Sequence, residues 1–151
     1  MSIILGIDYG EKRTGIAVTD PLKTIASSFQ TIETKMLIDF LRKFVEQNNV
    51  DSIVIGLPRQ KDYSFSDIEN EIQIFISKLK KILPQLKIFR HDERYTSKMA
   101  KKIILDVKSK KSLRMKKELV DSVSAAIILQ SYLEKNTKSW FIQYFHMVTL
   151  F

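Results

Sequence analysis

The chain has 151 residues, enough for one domain with a single core and too few to expect two. With 44% hydrophobic and 28% charged residues it is neither a disordered chain nor a membrane bundle, and no run approaches the ~20 apolar residues of a bilayer-spanning helix. The lack of cysteine excludes disulfides and thiolate chemistry, while a net charge of +8 favours a polyanionic partner, nucleic acid first.

Ile3 to Ile7 is a continuous apolar run, the pattern of a strand covered on both faces, and it stops at Asp8. It has neither a basic leader nor a small-residue cleavage pattern, so a cytoplasmic protein is expected. Ile16 to Thr19 and Thr24 to Thr31, split by Asp20-Pro21, predict two more strands and an antiparallel opening. From Lys35, the spacing of Met36, Leu37, Phe40, Leu41, Phe44 and Val45 predicts a helix ending near Asn48-Asn49. Asp51 to Gly56 predicts a fourth strand, stopped by Leu57-Pro58. Ser66 is expected to cap a second helix reaching Leu83, with Ile68, Ile72, Phe75, Ile76 and Leu79 on one face and Glu69 adding first-turn negative charge. Leu86 to Arg90 predicts a fifth strand, Thr96 or Ser97 starts a helix through Val107, and a last helix runs from about Lys117 to Glu134. The order βββαβαβαα describes an α/β domain, residues 1–136, with a mixed five-stranded sheet flanked by helices. Residues 137–151 form an aromatic extension of no assigned role, for which a dimer contact is one expectation.

Between Lys98 and Lys117 nine basic residues accompany a single acid, Asp106, so the positive charge is clustered rather than spread as surface solvation. Only four glycines occur, at 6, 10, 15 and 56. A chain so sparing of glycine is expected to place it where φ is positive or where backbones approach closely, and two of the four bracket Glu11-Lys12-Arg13-Thr14. A plain tight hairpin would explain that pair equally well, but the carboxylate next to it would not be idle. Asp8, at the end of a doubly covered strand, costs several kcal/mol unless it is paired, hydrogen-bonded or bound to metal.

Asp121 shares a helix face with Ala125 and Ile128, placing an acid on the buried side, although an acid there could also serve the helix dipole. Its small neighbours Ser122, Ser124, Ala125 and Ala126 would let the helix lie close to the sheet and bring Asp121 toward Asp8. The fifth strand delivers Asp92-Glu93 to the same sheet edge, where open sheets bind ligands. Adjacent residues of a strand face opposite ways, so only one of Asp92 and Glu93 can join the other two acids. Three carboxylates drawn together would repel one another unless a cation neutralised them, and magnesium suits hard oxygen ligands and phosphodiester hydrolysis. Lys12, Arg13 and Arg94 would then steady substrate phosphates, and Lys108, Lys110, Lys111, Arg114, Lys116 and Lys117 would clamp the flanking strand. The histidines, His91 and His146, have no partner pattern for nucleophilic or zinc chemistry.

Four ordered segments, Gly6 to Asp20, Ile55 to Pro58, Asp92 to Ser97 and Val120 to Gln130, resemble the YqgF/RuvX family over residues 1 to about 135. The resemblance implies a ribonuclease H-like fold, bacterial cytoplasmic nuclease activity with Mg2+ or Mn2+, and a role in processing the 5′ end of pre-16S ribosomal RNA. It puts the acidic trio on Asp8, Glu93 and Asp121, with Asp92 as the alternative to Glu93, the loop motif on Lys12-Arg13, and a strand-end arginine on Arg94. The chain departs from the family pattern after Pro58, where Asp62-Tyr63 stands in place of Asp-Gly.

Three other readings compete with this one: a Holliday junction resolvase acting on DNA, a non-catalytic module for structured nucleic acid, and an actin-like nucleotide phosphotransferase. The last is disfavoured by size, because such proteins clasp the nucleotide between two domains.

Overall fold

The computed structural model describes residues 1–58, 67–92 and 120–137. Five strands form one sheet in the order β3-β2-β1-β4-β5. They are β1 (Ile3–Asp8), β2 (Arg13–Thr19), β3 (Ala26–Glu33), β4 (Val50–Leu57) and β5 (Lys87–Asp92). The first three are joined antiparallel, whereas β4 and β5 run parallel to β1, which makes the sheet mixed.

Three helices flank it: α1 (Leu37–Gln47), α2 (Glu69–Ile82) and α3, residues 120–137. The helix expected between Thr96 and Val107, the basic stretch and the tail lie outside the described residues. Among those that are described, no helix is long and apolar enough to cross a membrane.

Side-chain alternation along the strands divides the sheet into two faces. On one, Leu5, Ile7, Ile16, Ile53 and Ile55 pack with Leu37 and Leu41 of α1 and with Ile72, Phe75, Ile76 and Leu79 of α2. The other is covered by α3, where Ile4, Ala17 and Val54 meet Ala125, Ile128, Leu129 and Leu133. In this second layer the helix lies close to the sheet where glycines on the strands face it. A Cβ on Gly6 would stand 2.7 Å from Leu129 Cβ and 3.0 Å from the Ala125 carbonyl oxygen.

Several local expectations are corrected. No described glycine has a positive φ, so close backbone approach is the reason for Gly6, Gly10 and Gly15. The left-handed residue is Lys23, in a turn that the Asp20 carboxylate organises by accepting hydrogen bonds from the Thr24 and Ile25 amides at 2.8 and 2.7 Å. Strand β2 begins three residues earlier than expected, at Arg13, and β3 is displaced to Ala26–Glu33. The first helix opens with a 3-10 turn, Thr34–Met36, leaving Met36 exposed rather than in the core. Ser66 lies outside the described residues, and the N-cap position of α2 belongs to Ile68, which offers no capping side chain.

Candidate active site at the carboxyl edge of the sheet

The Asp8 position follows from its neighbours. Ile7 is fully buried against α1 and α2, and the Tyr9 ring stacks on Phe75 with centroids 5.3 Å apart, so both flanking residues are held on that face. Burial, with the Glu71 charge second, pushes the Tyr9 phenol above its ordinary pKa. Alternation then turns the half-buried Asp8 to the opposite face, the one that α3 covers.

The cross-strand partner of Asp8 is Gly15 of β2. Directly opposed residues place their β-carbons about 5 Å apart on one face. A Cβ on Gly15 would run into the backbone carbonyl of Asp121 and approach Ser122 N to 2.9 Å. Glycine therefore lets the helix backbone descend onto the sheet beside the strand position that pairs with Asp8, so the Asp121 backbone sits on the face toward which Asp8 turns. Further bonds hold the helix there, since Ser28 donates to the Ser122 carbonyl at 3.2 Å and the Ala26 amide donates to Gln130 at 2.8 Å. At the far edge, Tyr132 packs against Phe89, and the Ser131 hydroxyl lies 2.9 Å from His91 Nε2, within hydrogen-bond distance. Burial holds the His91 imidazole below its ordinary pKa.

The β1–β2 hairpin is fastened to the start of α1 by one residue that sequence inspection missed. Thr34 donates to the Gly10 carbonyl at 2.6 Å, its hydroxyl lies 2.9 Å from that of buried Thr14, and its amide donates to the Lys12 carbonyl at 3.0 Å. A lone threonine between a strand and a helix carries no signal that would have singled it out. The hairpin so held lines a groove of about 730 Å³, together with Glu33, Lys35 and Asp121. Within it Arg13 Nε lies 3.3 Å from Asp121 Oδ2, and Lys12 is exposed.

On β5, Phe89 and His91 meet α3, whereas Arg90 faces α2. Asp92 shares the parity of Arg90 and so falls on the face opposite Asp8 and Asp121. This counts against Asp92 as the third acid; Glu93 and Arg94, like Lys108, Lys110, Lys111, Arg114, Lys116 and Lys117, lie outside the described residues. Arg90 was not singled out in the sequence, yet it is the most fully engaged cation described. It grips Glu69 with two hydrogen bonds of 2.7 and 2.8 Å and donates to the Gly56 carbonyl at 2.9 Å. Those bonds from Arg90 hold the Glu69 carboxyl below its ordinary pKa.

Among the described residues, no three histidine or acidic side chains form a metal site. The two acids that are described nevertheless fit a hard divalent cation by chemistry: Asp8 turns to the face on which the Asp121 backbone is seated, in a glycine cradle that a Cβ would fill. The buried Ser124 hydroxyl, on the same helix, has no hydrogen-bond partner among the described residues.

A five-stranded mixed sheet with an acid at the end of its central strand and a second acid on the helix across it is the architecture of a ribonuclease H-like domain. The family model described as "RuvX: Holliday junction resolvase" matches residues 2–135, and the chain belongs to that family. A "Putative pre-16S rRNA nuclease" of Porphyromonas gingivalis is 49% identical over 134 residues, spanning 89% of this chain and 97% of its own. The protein of the same name from Bacteroides fragilis is 47% identical with the same coverage. Among solved structures, RuvC of T. thermophilus in complex with a Holliday junction superposes with a TM-score of 0.51 at 12% identity, covering 91% of this chain and 96% of that one. A Fowlpox virus resolvase, bound to junction DNA, gives 0.55 at 18% identity over 88% and 97%. At such identities the likeness is one of fold.

Proposed function

We propose that this chain is a metal-dependent nuclease that hydrolyses phosphodiester bonds at the 5′ end of pre-16S ribosomal RNA, with Asp8, Glu93 and Asp121 holding Mg2+, or Mn2+ in its place. The observation that carries the reading is the seating of the Asp121 backbone on Gly15, the cross-strand partner of Asp8. The names of relatives at 47–49% identity support the substrate. When bound, the ion would supply an activated water and stabilise the leaving oxygen.

The chain's own residues do the rest. Asp8 and Asp121 are held rigidly, one by strand pairing and the other by the glycine contact, so little reorganisation is needed to bind a cation. The groove beside them presents Lys12, Arg13 and Lys35 to a phosphate backbone, and the net charge of +8 draws a polyanion toward it. Glu93 is preferred to Asp92 because Asp92 falls on the wrong face. Arg94 and the cluster Lys108 to Lys117 would grip flanking phosphates.

A second reading, resolution of four-way DNA junctions, is favoured by the description of the family model. Both readings are tested by one experiment, Mg2+-dependent cleavage of labelled 5′-extended 16S precursor, single-stranded RNA and a four-way DNA junction. The proposal expects the precursor to be cut best, with Asp8→Asn and Asp121→Asn each losing about a hundredfold or more, the scale of removing one preorganised group that stabilises charge. Preference for the junction would establish the second reading. Retained binding with no cleavage of any substrate would instead leave a non-catalytic binding module.

A further inference from the structure

Among the described residues two arginines stand at the carboxyl edge of the sheet, and they are built differently. Arg90 is locked, with both ends of its fork on Glu69 at 2.7 and 2.8 Å and a further bond to a β4 carbonyl. Arg13 meets Asp121 through Nε at 3.3 Å, longer than the 2.7–2.9 Å of a tight charged hydrogen bond, and both side chains are 26% exposed. The Arg13 backbone is fixed by pairing with Glu33 of β3, and its side chain lines the groove together with Asp121.

We propose that Arg13 is a placeholder for the cation: its guanidinium neutralises Asp121 while the metal position is empty, and on metal binding it is released to a phosphate of the incoming nucleic acid. The inference rests on the metal-nuclease reading and deepens it. Two acids on one face beside the Gly15 cradle favour positive charge whether or not an ion is present, and Arg13 is a described cation in contact with Asp121. Asp8 and Asp121 would both be available to a bound divalent ion, whereas the Arg13 contact with Asp121 is one half-buried guanidinium interaction. The displaced side chain already borders the groove, so the exchange couples ion binding to substrate binding without backbone motion.

The test is Mn2+ titration of the full-length chain without nucleic acid, followed by calorimetry or by the electron paramagnetic resonance of free Mn2+. Arg13→Gln is expected to bind Mn2+ about two- to fivefold more tightly than wild type, because an exposed ion pair of this kind is the competitor removed. Arg13→Lys, which keeps a charge but loses the fork, falls between the two and serves if the first variant folds poorly. A role confined to substrate contact would leave ion affinity unchanged. Stopped-flow binding of RNA before turnover supplies a second readout. In wild type the log–log salt slope steepens by about one phosphate contact when Mn2+ is saturating, and in Arg13→Gln it does not. Should the Arg13 variants bind Mn2+ as wild type does or more weakly while Asp121→Asn abolishes binding, the placeholder is refuted and the metal reading stands. If wild type binds no Mn2+, or binds it no better than Asp8→Asn and Asp121→Asn do, the metal reading fails and takes the placeholder with it.

Discussion

The two faces of the sheet are built for different ends. The face under α1 and α2 is a thick aliphatic layer in which Leu5, Ile7, Ile16, Leu37, Leu41, Ile53, Ile55 and Leu79 are completely buried, and its charged residues are tied off, as in Glu69 with Arg90. The face under α3 is a close contact of glycine, alanine and serine that excludes large side chains near the site. The first layer gains its stability from buried area, the second gains proximity. A catalytic edge needs both, because acids can be forced together only by a scaffold whose stability comes from elsewhere.

If that division holds, damage to the thick face should cost stability and leave the chemistry alone. Leu41→Ala removes a fully buried side chain between α1 and the sheet and is expected to cost about 2–5 kcal/mol in denaturant titration. Cleavage measured well below the melting transition should remain close to wild type. A loss of activity matching that of Asp8→Asn, with the fold intact, would show that the faces are not separable.

A smaller effect is expected where the thick face carries its charge. Glu69→Gln weakens charge-assisted bonds to Arg90 and should cost about 1.5–3 kcal/mol at neutral pH. The acid limb gives the sign. Since Arg90 holds the Glu69 carboxyl below its ordinary value, its contribution is present above the unfolded pKa and is lost as pH falls through the lower folded one. The difference between wild type and Glu69→Gln should therefore shrink across that acid window. A difference independent of pH would mean that the pair does not stabilise through its charge.

The thick face was the legible one. Periodicity located α1, α2 and all five strands, because large apolar residues at regular spacing leave a pattern wherever burial is extensive. Asp8 and Asp121 were legible as acids in apolar settings. What brings them together was not, since a glycine's use depends on what lies across from it, and Gly15 with Asp121 is a contact over more than a hundred residues. Of the two uses expected of glycine, positive φ and close backbone approach, the structure shows the second, and spacing within a hairpin could not choose between them because it says nothing of a helix lying on it. Thr34 and Arg90 were missed because each acts on carbonyls contributed by distant strands or turns. The face of Asp92 was not legible either, since strand parity on β5 needed the observed contacts of Phe89, His91 and Arg90.

The least costly substitution for stability probes the thin face most directly. Gly15→Ala adds one methyl group against the Asp121 carbonyl, where the obstacle is backbone and cannot rotate away. The helix must lift, at about 1–3 kcal/mol, less than the loss expected at Leu41. Displacing Asp121 from Asp8 should nonetheless lower cleavage about a hundredfold, since a shift on the order of 1 Å is enough to spoil a preorganised site. Stability and activity would then rank the two faces in opposite orders, with Leu41→Ala the worse for folding and Gly15→Ala the worse for catalysis. If Gly15→Ala cuts its substrate at the wild-type rate, the approach of α3 does not set the distance between the acids, and close packing on this face serves the fold alone.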